Sequence, residues 1–368
     1  MGCNLIRCFT PCKTHCSCRG FIMRNQHAFE AYLKLILLFG ILHTTFIHAQ
    51  EPQTLPAELK GLTMPGNLVS VGDHRLHIYC TGEGSPVVLM DAGLGGTFID
   101  WSRIQPMVAQ YTRVCTYDRA GYGWSESGTS PRTSSTIAEE LFTLAKNAHL
   151  APPYIVVGHS FGGFNVRLFA SHHPAETVGM VLVDASHEKQ FSRFAKETQQ
   201  NLAPTTGAQI AFLSRPLIPN NLPADKQELA KRMLATERMY GSLLSEVSSM
   251  RTSAQEVFNA SEITVPLVVI SRGTQAWQNN PRGAQLEALW QELQDDLASH
   301  SPHSAHLIVH DSSHYIHLDK PQVVIESINS LVAIYRHERA LQTELDRLSA
   351  RWSSHPTKNV IALAIETN

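Results

Sequence analysis

The sequence predicts an α/β fold: an eight-stranded, mostly parallel sheet with helices on both faces and a helical cap insertion. Three observations carry this. From about residue 66 onward, short β-branched runs alternate with amphipathic stretches. Several of the runs are continuously apolar, as strands covered on both faces require. Between about residues 188 and 260 the strand pattern gives way to helical periodicity.

Taken in order, residues 1–49 read as a leader. Leu33 to Ile47 is an apolar run preceded by Arg24 and His27 and followed by Ala49, the arrangement of a secretory signal cut after Ala49. The alternative is an uncleaved anchor, although the run is short for a span of about 20 residues and contains His43. Met23 would give a more ordinary signal length than Met1. The expected location is therefore exported, periplasmic or secreted, or membrane-anchored by residues 33–47. Five of the seven cysteines lie in this leader, which excludes a disulfide-rich body.

The first part of the core spans residues 50–187. Its expected strands are Leu68–Val71, Leu76–Cys80, Val87–Asp91, Val114–Tyr117, Tyr154–Val157 and Met180–Val183, with helices over Thr136–His149 and Phe161–His172. The cap covers 188–260, with helical periodicity in Ala224–Leu234 and Leu243–Phe258, and is expected to lie over the strand ends. Core residues 261–340 add strands at Leu267–Ile270 and His306–Val309 and a helix near Pro321–Leu331. A polar C-terminal helix and tail close the chain at 341–368.

Hydrophobic residues at 43% and charged residues at 17% allow a substantial core and exclude wholesale disorder. A net charge of −2, with the signs well mixed, offers no basic face for nucleic acid. No phosphate loop or nucleotide fingerprint competes, and no cofactor is expected.

The chemistry centres on Ser160. Tyr154-Ile155-Val156-Val157 runs into Gly158-His159-Ser160-Phe161-Gly162-Gly163, a G-x-S-x-G sequence with a strand before it and a helix after it. A sharp turn there lifts the hydroxyl out of the sheet, and glycine on either side avoids Cβ clashes. The helix start adds partial positive charge where an oxyanion would develop.

Together with Asp91-Ala92-Gly93-Leu94-Gly95-Gly96 and Tyr117-Asp118-Arg119-Ala120-Gly121-Tyr122-Gly123-Trp124-Ser125, this motif makes residues 66–340 resemble the α/β-hydrolase superfamily, in a bacterial-type subgroup with the GHSFGG turn. The resemblance implies an oxyanion hole built from the N–H groups of Phe161 and Leu94. The family more often has His-Gly where this chain has Ala92-Gly93, a change without effect on a backbone donor. Asp118 and Arg119 are expected to brace the loop.

A serine hydroxyl needs a base. His314 follows the last strand and precedes a helix, where the fold's catalytic His sits. The nearby His300, His303, His306, His310 and His317 straddle loops and a strand, so no metal site is expected. For the acid, many family members carry Asp after the seventh strand, but here Leu267-Val268-Val269-Ile270-Ser271-Arg272-Gly273-Thr274-Gln275 has no carboxylate until Glu287. The sixth strand ends in Asp184, which keeps the Ser–acid–His order. Glu188 is the runner-up, and helix capping is the structural alternative for Asp184. Cys80 and Cys115 fall on strands that neighbour each other in this fold. They are expected as buried free thiols, or as a disulfide in an exported protein.

The resemblance thus implies a serine hydrolase acting on an ester, lactone or amide through Ser160, Asp184 and His314. The Leu- and Met-rich cap suggests an apolar small-molecule substrate. Two other readings share the fold: an acyltransferase, and a ligand-binding receptor with incidental turnover. A Ser rather than Asp nucleophile disfavours the epoxide hydrolase and haloalkane dehalogenase branches.

Overall fold

A computed structural model describes residues 53–198 and 218–354. The leader at 1–49, its apolar run at 33–47 and its cysteines lie outside the described residues, as do parts of the cap and the final tail.

The strands are β1 (Asn67–Ser70), β2 (Arg75–Thr81), β3 (Val87–Asp91), β4 (Val114–Tyr117), β5 (Tyr154–His159), β6 (Thr177–Val183), β7 (Leu267–Arg272) and β8 (Ser304–Val309). The helices are α1 (Gln105–Val108), α2 (Ser134–Asn147), α3 (Gly162–His172), α4 (Gln190–Thr198), α5 (Ala224–Leu234), α6 (Glu237–Phe258), α7 (Gly283–Ala298), α8 (Ile316–Asp319) and α9 (Pro321–Ser354). All eight strands join one sheet in the order β1-β2-β4-β3-β5-β6-β7-β8. β2 runs antiparallel to both β1 and β4, and the pairs from β4 through β8 are parallel. The carboxyl ends of β3, β5, β6 and β7 therefore meet along one edge, where ligands bind in open α/β sheets.

Strand alternation sorts the apolar residues into two layers. Val88, Met90, Ile155, Val157, Val181, Val183 and Ile270 pack on one face against Val324, Ile325, Ile328 and Leu331 of α9. Leu89, Val156, Met180, Leu182 and Val269 face the other way, onto Ile137 and Leu141 of α2, Phe164 and Leu168 of α3, and Met250 and Ala254 of α6. Each fully buried side chain of this kind contributes about 1.5–3 kcal/mol. The runs look continuously apolar because both faces are covered.

Within the cap, Met233 of α5 and Met239 of α6 are buried against Phe98, Tyr122 and Trp124, which lie in the loops beyond β3 and β4. The far end of α6 descends onto the sheet face through Met250 and Val257. One helix thus touches both the strand ends and the core. The C-terminal region also departs from expectation. α9 is one helix of 34 residues, with no glycine or proline after Pro321 to break it. From Ala333 to Ala350 its side chains are exposed, apart from the half-buried Tyr335.

Cys80 and Cys115 form a disulfide, which corrects the expectation of free thiols. They face each other directly in the β2–β4 register, so their side chains leave the sheet on the same side.

Candidate active site

The G-x-S-x-G segment turns from β5 into α3 with Ser160 at φ 51°, in the left-handed region. The two glycines are required by contact. A Cβ on Gly158 would lie 2.6 Å from the carbonyl oxygen of Gly162, and one on Gly162 would lie 2.4 Å from that of Asp91. The turn is tied to the neighbouring strand, because Ser160 N donates to Val183 O at 3.1 Å and Ser186 N donates to Ser160 O at 2.9 Å. Ser160 itself remains partly exposed.

Asp184 follows β6 one strand away, also left-handed at φ 41°. It is fully buried, and His314 Nδ1 lies 2.5 Å from its Oδ2. The same oxygen accepts from Arg272 Nη1 at 2.8 Å, while Oδ1 accepts from Trp290 Nε1 at 2.8 Å and from Arg272 N at 3.3 Å. Burial pushes this carboxyl up, but the Arg272 charge and the bonds from His314 and Trp290 outweigh it and hold Asp184 far below the ordinary carboxylate range. An ionised carboxylate can only accept, so His314 Nδ1 carries a proton, and in the neutral ring Nε2 presents a lone pair. The sequence separation of 130 between Asp184 and His314 is closed by the parallel crossovers.

Two partners of Asp184 were not legible beforehand. Arg272 ends β7, the strand after which family members commonly place the acid, and its charge there neutralises an acid on β6. A lone arginine closing an apolar strand was the available signal. Trp290 comes from α7, and nothing local marks it.

Glu188 is not brought to His314. It binds Arg167 Nη1 at 2.7 Å and sits 3.5 Å from His187 Nδ1 and 3.7 Å from His300 Nε2. With Asp296 these groups have the spacing of a metal-binding set. Their protons argue otherwise. Lys189 N donates to His187 Nδ1, so the neutral ring must carry its proton on Nε2, facing Asp296 at 2.9 Å. Arg167 Nη2 approaches His300 Nδ1 at 2.9 Å, and Lys189 Nζ binds Asp296 at 2.8 Å. The ligand positions are filled by the chain's own donors. Burial lowers His187 to about 4, keeping it neutral.

The loop after β3 reaches Ser160. A Cβ on Gly93 would stand 3.1 Å from Ser160 Cβ, placing Gly93 and Leu94 beside the site. Phe161, fully buried, begins the turn into α3. Asp118 braces the next loop, accepting from Phe98 N at 2.8 Å and Trp124 N at 3.0 Å and contacting His77 Nδ1 at 2.8 Å.

A cavity of about 390 Å³ opens beside His314, bordered by Asn220, Asn221, Thr274, Gln275 and Tyr315. The Leu- and Met-rich cap suggested an apolar substrate, but its Met233 and Met239 are buried in cap packing at 0% and 1% exposure. They line no part of this cavity among the described residues, so the composition of the cap does not carry the apolar reading.

Residues 87–327 match the model of the alpha/beta hydrolase family. Two solved structures have similar folds. A thermophilic esterase from Thermogutta terrifontis superposes with a TM-score of 0.53 at 19% identity, over 72% of this chain and 96% of that one. Epoxide hydrolase CorEH superposes with a TM-score of 0.54 at 17% identity, over 73% of this chain and 98% of its own. Among curated proteins, the uncharacterized YqjL of Bacillus subtilis is 27% identical over 243 residues, 66% of this chain and 82% of that protein. An uncharacterized protein of Schizosaccharomyces pombe is 30% identical over 154 residues, but the chain spans only 29% of its length. Sheet order, the tight turn at Ser160 and the family match over β3 to β8 agree: the chain belongs to the alpha/beta hydrolase family.

Proposed function

We propose that the chain is a serine hydrolase that cleaves a carboxylic ester through an acyl-enzyme on Ser160. The observation that carries this reading is the 2.5 Å contact between His314 Nδ1 and the buried Asp184, on the strand next to the Ser160 turn. Ser160 Oγ attacks the carbonyl carbon as its proton passes to His314 Nε2. Asp184 orients the ring and stabilises the imidazolium. The N–H groups of Leu94 and Phe161 hold the oxyanion. Each such donor is worth about 10²–10³ in rate. Collapse expels the alcohol, which takes the proton from His314. Water then repeats the sequence at the acyl carbon. A lactone or amide would follow the same steps.

The chain works in an oxidising compartment, exported or anchored through residues 33–47. The Cys80–Cys115 disulfide supports this, since such bonds persist outside the reducing cytosol.

The test is labelling with a fluorophosphonate, followed by a panel of chromogenic esters with and without alcohol or amine acceptors. One label per chain, lost in Ser160→Ala, with multiple turnover in water, is the expected result. Products formed only with an acceptor would make the protein an acyltransferase. Binding without turnover would make it a receptor. Folded wild type that neither labels nor turns over refutes the assignment.

A further inference from the structure

Arg119 is a buried charge that the proposed chemistry does not use. It follows β4 and is 2% exposed. A guanidinium has five N–H donors, and here five bonds take them up. Nε donates to Glu246 Oε1 at 2.7 Å, and Nη1 donates to Asp91 Oδ1 at 2.7 Å and Ala92 O at 2.6 Å. Nη2 donates to Gly93 O at 2.9 Å and Glu246 Oε2 at 2.9 Å.

The bond to Gly93 O matters most. That carbonyl and the N–H of Leu94 belong to one peptide unit. The unit is planar and trans, so the two groups point in opposite directions. A donor that fixes the carbonyl on one side fixes the N–H on the other. The same peptide lies beside the nucleophile, as the close approach of Gly93 to Ser160 Cβ requires. Glu246 comes from α6 of the cap, 127 residues away, and holds two of the five donors; it is steadied in turn by Tyr122 OH at 2.7 Å. Asp91 is held by Tyr117 OH at 2.8 Å and by Asn165 Nδ2 of α3 at 2.9 Å.

We infer that Arg119 is the positioning residue of the oxyanion hole, aiming the Leu94 N–H through Gly93 O, and that Glu246 sets this aim from the cap. The inference rests on the serine hydrolase reading above. It makes the seating of α6 a determinant of transition-state binding rather than of substrate capture.

The experiment compares wild type with Arg119→Lys, Glu246→Gln and the paired Arg119→Met/Glu246→Leu. Lysine offers one compact charge and cannot reach both carbonyls and Glu246 together. The paired variant removes the Arg119 and Glu246 charges together, so no unpaired Glu246 remains, while Asp91 loses its counter-charge but keeps Tyr117 OH and Asn165 Nδ2. Wild type is first required to label with fluorophosphonate and to turn over an ester. Failure at that step refutes the hydrolase reading, and this inference with it. In variants whose circular dichroism matches wild type, kcat should fall about 10²–10³-fold with KM within threefold, as for loss of one oxyanion donor. Affinity for a trifluoromethyl ketone, which forms an oxyanion on Ser160, should fall by a similar factor. A purely structural brace would lower the melting temperature and leave both quantities unchanged per folded molecule. Folded Arg119→Lys or paired variant with kcat and ketone affinity within threefold of wild type overturns the proposal.

Discussion

Asp184→Asn tests the acid most directly. The side chain keeps its size but gains an NH2 that can only donate. In the native site, Oδ2 faces His314 Nδ1 and Arg272 Nη1, while Oδ1 faces Trp290 Nε1 and Arg272 N. Either orientation of the amide therefore sets its NH2 against native donors. With the NH2 toward His314, the ring relieves the conflict by moving its proton to Nε2, and it can no longer accept the proton of Ser160. In serine proteases the equivalent change lowers kcat about 10⁴-fold, or about 5 kcal/mol of barrier at 1.36 kcal/mol per decade. The same factor is expected here, with KM little changed. Arg272 also loses its nearest counter-charge while keeping Glu287 at 3.0 Å. Breaking one side of such a buried pair costs about 3–5 kcal/mol, and the retained amide oxygen puts this case near 3. The assay is steady-state hydrolysis of a chromogenic ester beside urea unfolding. Asp184→Asn within tenfold of wild-type kcat, or Glu188→Gln falling a thousandfold while Asp184→Asn does not, would refute the argument.

Further outcomes follow from other features. Glu188→Gln should weaken the Arg167 contact and lower stability while leaving kcat within threefold, measured in the same two assays. His187 is held to about 4 by burial, so the unfolded chain binds a proton there more readily. Its stabilising effect is complete above about pH 6.5 and is lost as pH falls toward 4, on the order of 3 kcal/mol; His187→Gln should flatten that limb of the urea midpoint against pH. Reducing the Cys80–Cys115 bond, or replacing both residues with serine, should cost about 4 kcal/mol by loop closure over the 35-residue separation, read as a lower unfolding midpoint. Gly162→Ala would drive a methyl into the backbone of Asp91 and Ala92; a loss of about 1–3 kcal/mol, with reduced turnover per folded molecule, is expected.

Much of the candidate site could be read locally. Ser160 announces itself because strand, tight turn and helix are contiguous in sequence, and Gly158 and Gly162 mark the close contacts on either side. His314 is marked by its place after the last strand. Asp184 emerged by elimination, since β7 ends without a carboxylate. What stayed hidden depends on partners brought together by tertiary packing. Arg272 reads as an ordinary strand-end charge until β6 and β7 are paired. Glu246 sits on a helix with nothing to distinguish it from solvated neighbours, yet it is buried against Arg119. The disulfide was one of two readings open to Cys80 and Cys115 on neighbouring strands, and the direct β2–β4 register decides between them. Cap methionines leave the substrate open, because helical spacing reports burial and not what lies on the other side.

An acid after β6 also governs how this chain can vary over time. Beyond Asp184 the backbone reaches Glu188 within four positions and enters α4, while Ser186 N is already bonded to the carbonyl of Ser160 and Gln294 Nε2 holds Ala185 O. The doorway into the cap is thus fastened to the turn that holds Ser160. A residue gained or lost there would shift Ser160 and Asp184 themselves. The exit, after Phe258 and before β7, carries no such attachment to Ser160 or His314 among the described residues. Length changes in a lineage of such proteins should therefore accumulate at the exit of the cap and be purged at its entrance.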